Sequence, residues 1–432
     1  MTTTFDAALA ASPLVEIERR VQDRAKRTGL HDQSAETLRA MLEDEVDRWN
    51  VDFQRGIRPT PVADPESVVD RALRNLSGYG PLAPLLVDDD VWEIEINAPD
   101  AIFVKRHAGP SGFHDEVFHD DDHVLRTLTR LLDDAPGAHR KLDPAEGLQD
   151  AQLDNGSRLH IVHQDVARGG HVMVNIRKFT GVVFRNLDQL VSRDMLSPAV
   201  ATFLKACVRS GSSIVFAGAP GAGKTTLLSC CLAELEPSLR VVVAEEVFEA
   251  DIALPNVAQM QTRPARVDRP EVDLRRLVAG FLRMAPDVAV VGEVRDREAL
   301  SMLLALSSGV TGYTTIHASS AAQALSRLRF LSQLSDAGRH LPFAALSSLV
   351  SDAIDVVVHS TRTREGVRIT SVVAVEELVS GPDSPHFTLT EVFAADAAGD
   401  RLRWTGELPE RLQRRFAERG LAVRTVLSGG DR

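Results

Sequence analysis

Apolar residues near the N-terminus recur at three- and four-residue spacing. Leu14, Ile17, Val21 and Ala25 form one series with charges between them, and Leu38, Met41, Val46 and Trp49 suggest a second. This period predicts two amphipathic helices, which either pack on their own chain or bind a partner. Residues 56–65 carry three prolines and read as a linker. A helix over 68–76 breaks at Gly78-Tyr79-Gly80-Pro81. Trp92, Ile94 and Ile96 then alternate with Glu93 and Glu95, the period of a half-buried strand. Ala98-Pro99-Asp100 makes a turn, and Ile102-Phe103-Val104 returns as the partner strand. Residues 124–132 read as a helix, 159–162 and 172–176 as short strands, and 186–195 as the connection to a second domain.

From Ala199 onward, apolar strand candidates at 213–217, 240–244, 288–291, 311–316 and 354–359 alternate with helices such as 224–235 and 273–284. Alternation of this kind predicts a mostly parallel, doubly wound sheet. The signal weakens from about Asp383, and Gly429-Gly430-Asp431-Arg432 reads as a disordered tail. Four segments are expected: helices and linker over 1–62, a small α/β domain over 63–180, a larger α/β domain over 181–382, and a partly disordered extension over 383–432. No internal repeat is found.

Composition narrows the function classes. The 432 residues are 44% hydrophobic, ample for two cores, and 61 acidic against 49 basic residues give a formal charge of -12. Duplex binding is driven by neutralising phosphates with a basic surface, so nucleic acid is not the expected partner. Cys207, Cys230 and Cys231 form no CxxC and are too few for a four-thiolate zinc site, so buried thiols in a reducing compartment are expected. No apolar run approaches the length that spans a bilayer, and residues 1–18 lack the basic region of a signal peptide. A cytosolic protein is expected, touching a membrane only through a partner.

Gly218-Ala219-Pro220-Gly221-Ala222-Gly223-Lys224-Thr225 matches G-x-x-x-x-G-K-[ST] at every required position. The strand Ile214-Val215-Phe216 leads into it and a helix begins at Lys224. Glycines allow backbone N–H groups to turn inward toward phosphates, and the helix N-terminus adds partial positive charge. Lys224 supplies a full charge for the β- and γ-phosphates, and the Thr225 hydroxyl is suited to Mg²⁺. ATP and Mg²⁺ are therefore the expected ligands, with Thr226 completing the binding segment.

Hydrolysis also needs an ordered water. Val288-Ala289-Val290-Val291 runs into Gly292-Glu293, and strand C-terminal ends line the nucleotide crevice of a doubly wound sheet. Glu293 is thus a candidate to orient or deprotonate the attacking water, with Arg295 and Asp296 as a supporting pair. Many P-loop NTPases hold Mg²⁺ through an Asp just before this Glu; here that position is Gly292. Glu245, Glu246 and Glu249, after the strand Val241-Val242-Val243-Ala244, are the other candidate carboxylates. His317 follows the strand Tyr313-Thr314-Thr315-Ile316 and is a candidate to hydrogen-bond the γ-phosphate or the water.

These features resemble the type II/IV secretion ATPases, and within them the CpaF-like (Tad/Flp pilus assembly) branch, over roughly residues 76–378. The family's Walker A resembles residues 218–226, and its acidic box looks like residues 240–246 with Glu249 following. Its Walker B resembles Arg283-Met284-Ala285-Pro286-Asp287 through Asp296, and its histidine box looks like residues 312–320. Gly80-Pro81-Leu82 and residues 93–97 are similar to the family's N-terminal domain. Residues 155–158 and 175–179 are similar to its arginine-bearing segment. The resemblance implies a RecA-like P-loop NTPase domain behind a smaller α/β domain. It further implies catalytic roles for Glu293, His317, Glu245 and Glu246, and nucleotide contacts from Arg158 and Arg177, with Arg168 a third candidate. Gln152, Ser319 and Glu246 depart from the usual Arg, Asn and Asp.

The resemblance also implies a homo-hexameric ring with nucleotide at subunit boundaries. Domain motion about a hinge near residues 179–194 would then drive a polytopic cytoplasmic-membrane platform protein. A DNA-transfer ATPase, a low-turnover nucleotide-gated regulator and a RecA-like helicase are the competing readings.

Overall fold

The computed structural model describes residues 12–27, 34–106, 109–134, 142–143, 145, 147–153, 155–178, 184–250, 252–263, 265, 270–363, 366–376, 387–395 and 402–429. The chain divides into two units, residues 1–180 and 181–432. The expected tail residues 430–432 and hinge residues 179–183 lie outside the described residues.

In the first unit, helices α1 (Pro13–Arg27), α2 (Ala35–Gln54) and α3 (Pro65–Ser77) bury Leu14, Ile17, Val21, Leu42, Val46, Trp49, Val62, Val69 and Ala72 against one another. Ser34 and Asp64 cap α2 and α3 through their side chains. The proline-rich stretch before α3 is packed rather than loose. Trp49 Nε1 donates to the Thr60 carbonyl at 2.8 Å, the Val62 N–H donates to Asn50 Oδ1 at 2.9 Å, and Arg58 lies over the Trp49 ring. Prolines fix the backbone of this segment but leave Thr60 O and the Val62 amide to hold it onto α2.

The chain continues through α4 (Leu82–Val87), β1 (Val91–Ala98), β2 (Ala101–Arg106), β3 (Gly112–Phe113), α5 (Asp121–Asp133), β4 (Leu148–Gln152), β5 (Arg158–Val162) and β6 (Met173–Arg177). The strands form an antiparallel sheet in the order β3-β2-β1-β6-β5-β4. Period-two patterning puts Ile94, Ile96, Ile102, Val104, Leu159, Ile161, Val174 and Ile176 on the face that shares a core with Val124, Leu128, Leu131 and Leu132 of α5. The opposite face carries Glu93, Glu95, Lys105, Arg158 and Arg177. A polar knot ties α1 to this part of the unit: His119 Nε2 meets Glu18 Oε2 at 2.7 Å and Asn75 Nδ2 donates to Glu18 Oε1 at 2.7 Å.

The second unit contains α6 (Leu187–Ser192), α7 (Pro198–Arg209), β7 (Ile214–Gly218), α8 (Lys224–Leu232), β8 (Val241–Glu245), β9 (Val257–Gln261), α9 (Leu274–Ala279), β10 (Val288–Val291), α10 (Glu298–Ser307), β11 (Thr311–His317), α11 (Ala321–Leu334), α12 (Phe343–Ala353), β12 (Val356–Thr363), β13 (Gly366–Val375), β14 (Leu389–Ala395), β15 (Leu402–Trp404), α13 (Glu410–Glu418) and α14 (Val423–Gly429). One nine-stranded sheet runs β15-β14-β13-β12-β7-β11-β10-β8-β9. From β12 to β9 along this order every neighbouring pair is parallel, and β13, β14 and β15 extend the other edge antiparallel.

Alternate residues of the buried strands serve two cores. Ile214, Phe216, Val241 and Val243 pack with α7, α8 and α13, while Val215, Ala217, Val242 and Ala244 pack with α10, α11 and α12. The sheet is therefore covered on both faces, as its near-continuous apolar strands require. The segment beyond Asp383, where patterning is weak, joins this sheet: Val392, Phe393, Leu412, Phe416, Val423 and Leu427 are buried in the first core. Residues 184–194 also belong to this unit, since Asn186 caps α6 and Cys230 Sγ donates to Phe184 O. Among the described residues no helix is long and apolar enough to cross a membrane.

Candidate functional site

The C-terminal ends of β7, β8, β10 and β11 gather the candidate residues. β7 delivers the loop from Gly218 to Gly223, and α8 starts at Lys224. Gly221 and Gly223 stand at φ of 72° and 73°, a left-handed backbone that only glycine adopts without strain. This curl leaves Ala219 and Pro220 exposed at the loop crest, with Thr225 and Thr226 half-buried in the first turn of α8. The Lys224 side chain is buried, and its Nζ donates to Ala219 O at 3.0 Å and to His317 Nδ1 at 3.2 Å.

His317 ends β11 level with Gly218 on the neighbouring strand. Its Nδ1 faces two groups, Lys224 Nζ and the Gly218 carbonyl, the latter at 3.3 Å. Nε2 lies 2.8 Å from Glu293 Oε1. Glu293 Oε2 receives Arg295 Nη2 at 2.7 Å, and Arg295 Nη1 reaches Glu246 Oε2 at 2.7 Å. Burial pushes the Glu293 carboxyl up, but the hydrogen bonds from His317 and Arg295 outweigh it and hold its pKa down to about 2. The result is one continuous chain: Lys224, His317, Glu293, Arg295, Glu246.

Arg295 thus bridges Glu246 and Glu293 rather than pairing with Asp296. The Asp296 and Arg295 amides are both held by the buried Glu298 carboxylate, at 2.9 and 2.5 Å. Glu298 was not a sequence candidate; its only signal is an acidic residue at the start of α10. Glu245 is buried at the end of β8. Its carboxylate is 2% exposed and accepts the Glu249 and Ala250 amides at 3.1 and 3.0 Å. It shapes the turn after β8, and Glu249 is the carboxylate presented to the loop, 3.3 Å from Thr225 Oγ1.

In the first unit, Arg158 and Arg177 are direct cross-strand partners, with Glu93 opposite Arg177 on the other side. Arg168 is exposed in the turn between β5 and β6.

The residues fit a magnesium nucleotide. The glycine curl leaves the loop amides open to phosphates, and a hydroxyl and a carboxylate converge at Thr225 and Glu249. Mg²⁺ suits such a site, since it takes one or two carboxylates with phosphates and waters rather than an all-protein cage. Among the described residues no cluster of three or more His, Cys, Asp or Glu forms such a cage.

A Mycobacterium tuberculosis protein named for conjugal transfer is 32% identical over 71% of this chain and 86% of its own length. The type IV secretion system protein PtlH of Bordetella pertussis is 30% identical over 66% of this chain and 90% of its own. The ATPase DotB of Legionella pneumophila has the same fold, with a TM-score of 0.50 and 19% identity over 69% of this chain and 82% of that one. The family model described as "Type II/IV secretion system protein" matches residues 75–368, a span holding the P-loop, both acidic strand ends and His317. This chain belongs to that family.

Proposed function

We propose that the chain is the ATP-hydrolysing motor of a secretion or pilus-assembly machine. The observation that carries this reading is the chain of contacts from Lys224 through His317 to Glu293, which joins a phosphate-binding lysine to a water-positioning carboxylate. Lys224 and the loop amides bind the β- and γ-phosphates. Thr225 and Glu249 would hold a magnesium ion, which would supply charge neutralisation on the phosphates. Glu293 orients the attacking water. Its low pKa makes it a weak base at neutral pH, so it acts by accepting a hydrogen bond and fixing the water in line, which suits a loose phosphoryl-transfer transition state. His317 stands between Lys224 Nζ, 3.2 Å from its Nδ1, and Glu293 Oε1, 2.8 Å from its Nε2, so a γ-phosphate on Lys224 would be felt at the water-positioning group.

Arg158 and Arg177 complete the nucleotide site within a homo-oligomer, on the family resemblance a hexameric ring. The two arginines stand side by side on one face of the sheet, where cationic groups suit a phosphate. Hydrolysis frees the two units to move, and the motion drives a polytopic membrane platform protein at the inner face of the cytoplasmic membrane.

The test is ATP turnover by wild type and Glu293→Gln across a protein concentration series, with mass measured at each point. Turnover that rises with oligomer formation and is lost in the variant supports the motor. Wild-type turnover by Glu293→Gln sinks the assignment. The relatives named for conjugal transfer favour a second reading, an ATPase serving DNA transfer. Co-purification with a relaxase-type complex instead of a polytopic membrane protein would select it.

A further inference from the structure

The hairpin β12–β13 lies along the flank of the phosphate-binding loop away from His317. β7 sits between β11 and β12, with His317 level with Gly218 on one side and Ser360 level with it on the other. Ser360 Oγ donates to Ala222 O at 2.7 Å, and Arg362 Nε donates to Gly221 O at 3.0 Å. Val367, opposite Arg362 across the hairpin, has Cγ1 3.0 Å from where a Cβ on Gly223 would stand. Three successive loop residues are thus touched by one hairpin.

The two flanks of the loop differ in chemistry. Lys224, His317 and Glu293 collect on the β11 side, where the reacting phosphate belongs. A nucleotide with its γ-phosphate there has its nucleoside at the other end of the phosphate chain, on the hairpin side. Arg362 is exposed at that end. Its guanidinium is a planar cation that stacks on aromatic faces, and its tie to the Gly221 carbonyl holds it at the loop's outer edge.

We propose that Arg362 binds the nucleoside end of the nucleotide, its guanidinium stacked on the purine base while Nε stays on the Gly221 carbonyl. This rests on the nucleotide-binding reading above and deepens it: the hairpin supplies the base-recognising wall of the pocket, and the phosphates are left to the loop and Lys224. Specificity for a purine nucleotide over bare polyphosphate then resides in a strand hairpin more than one hundred residues from the loop it serves, Arg362 and Gly221 being 141 apart in sequence.

The test is calorimetric binding of ATP, ADP and inorganic tripolyphosphate, each with magnesium, to the full chain as wild type, Arg362→Ala and Arg362→Lys. Arg362→Ala is expected to weaken ATP and ADP to the same degree, by about tenfold, and to leave tripolyphosphate unchanged. Arg362→Lys restores only part of the loss, because an ammonium has no planar face. A parallel loss for tripolyphosphate overturns the proposal, because Arg362 then acts on the phosphates or on the shape of the loop. Unchanged ATP affinity in Arg362→Ala overturns it too, and leaves the nucleotide-binding reading standing. A wild type that binds neither ATP nor tripolyphosphate overturns both.

Discussion

A Cβ on residue 292 would stand 2.8 Å from Cγ of Glu245, so Gly292 leaves the space that the Glu245 side chain fills. Glu245 in turn holds the Glu249 and Ala250 amides and so sets the turn that brings Glu249 to Thr225. The aspartate that many P-loop NTPases carry just before the catalytic glutamate would collide with this arrangement. The glycine is coupled to a displaced carboxylate: the acidic group near the Thr225 hydroxyl comes from the neighbouring strand end.

Gly292→Ala is expected to destabilise the protein by about 1–3 kcal/mol, the usual range for overpacking a filled interior. The collision is with Cγ of a buried side chain held by two amides, not with a mobile tip. Denaturant unfolding measures the loss, and magnesium-dependent ATP affinity should fall with it. Unchanged stability and affinity would show that Glu245 moves aside freely.

Glu293→Gln keeps the shape of the side chain and removes its charge. Turnover is expected to fall by about 10²–10³, the range for losing one positioned hydrogen-bonding group in an active site, with ATP binding retained. The carboxyl pKa of about 2 fixes the pH behaviour. A carboxylate held below its ordinary 4.5 contributes stability that is present above 4.5 and lost as pH falls through about 2. Glu293 therefore gives turnover no acidic limb at neutral or mildly acidic pH, and a limb there that vanished in Glu293→Gln would contradict the assignment.

Much of this was legible in the sequence, and the reason is local. β7, β8 and β10 are buried on both faces, so their positions read as unbroken apolar runs ending at Gly218, Glu245 and Gly292. The loop motif is contiguous, and His317 follows its strand directly. What stayed hidden depends on pairing between distant segments. Ser360 and Ala222 are 138 residues apart, and nothing around Ser360 signals that it touches the loop. β15 is the edge strand and β14 its neighbour, both with few buried positions, so the extension gives a weak pattern although α13 and α14 close the first core. The separation of roles between Glu245 and Glu249 was equally invisible, because it turns on which carboxylate points inward from one acidic turn.

The extension should matter for stability. Asp355 is 1% exposed; Arg411 Nε lies 2.8 Å and Arg415 Nη2 3.4 Å from its Oδ1, and its Oδ2 accepts the Ser213 amide at 2.8 Å. Burial raises its pKa in spite of the two arginines. Arg411 also caps α12 by donating to Ser351 O and Asp352 O at 2.6 and 2.7 Å. Removing one partner of a buried pair leaves an uncompensated charge, so Arg411→Ala is expected to cost about 3 kcal/mol. Thermal unfolding measures it, and a shift within error of wild type would mean that Arg415 alone holds Asp355.

The first unit carries its own acid response. His123 is 1% exposed; its Nδ1 accepts the His119 N–H at 3.3 Å, and its Nε2 has no hydrogen-bond partner. Burial first, and then His119, Arg126, Arg130 and Arg71 around it, push its pKa from 6.5 down to about 3. Below pH 6.5 the unfolded chain takes up a proton that the folded unit refuses until about pH 3. The stability held by the neutral ring is thus complete above 6.5 and is lost progressively as pH falls toward 3. His123→Asn keeps an acceptor near the position of Nδ1 and abolishes the titration. In a Trp404→Phe background the remaining Trp49 and Trp92 report on this unit alone. Urea midpoints followed by their fluorescence should fall more steeply with acid in that parent than when His123→Asn is added to it. Parallel slopes would mean that the ring is protonated in the folded unit and that its burial does not control acid stability.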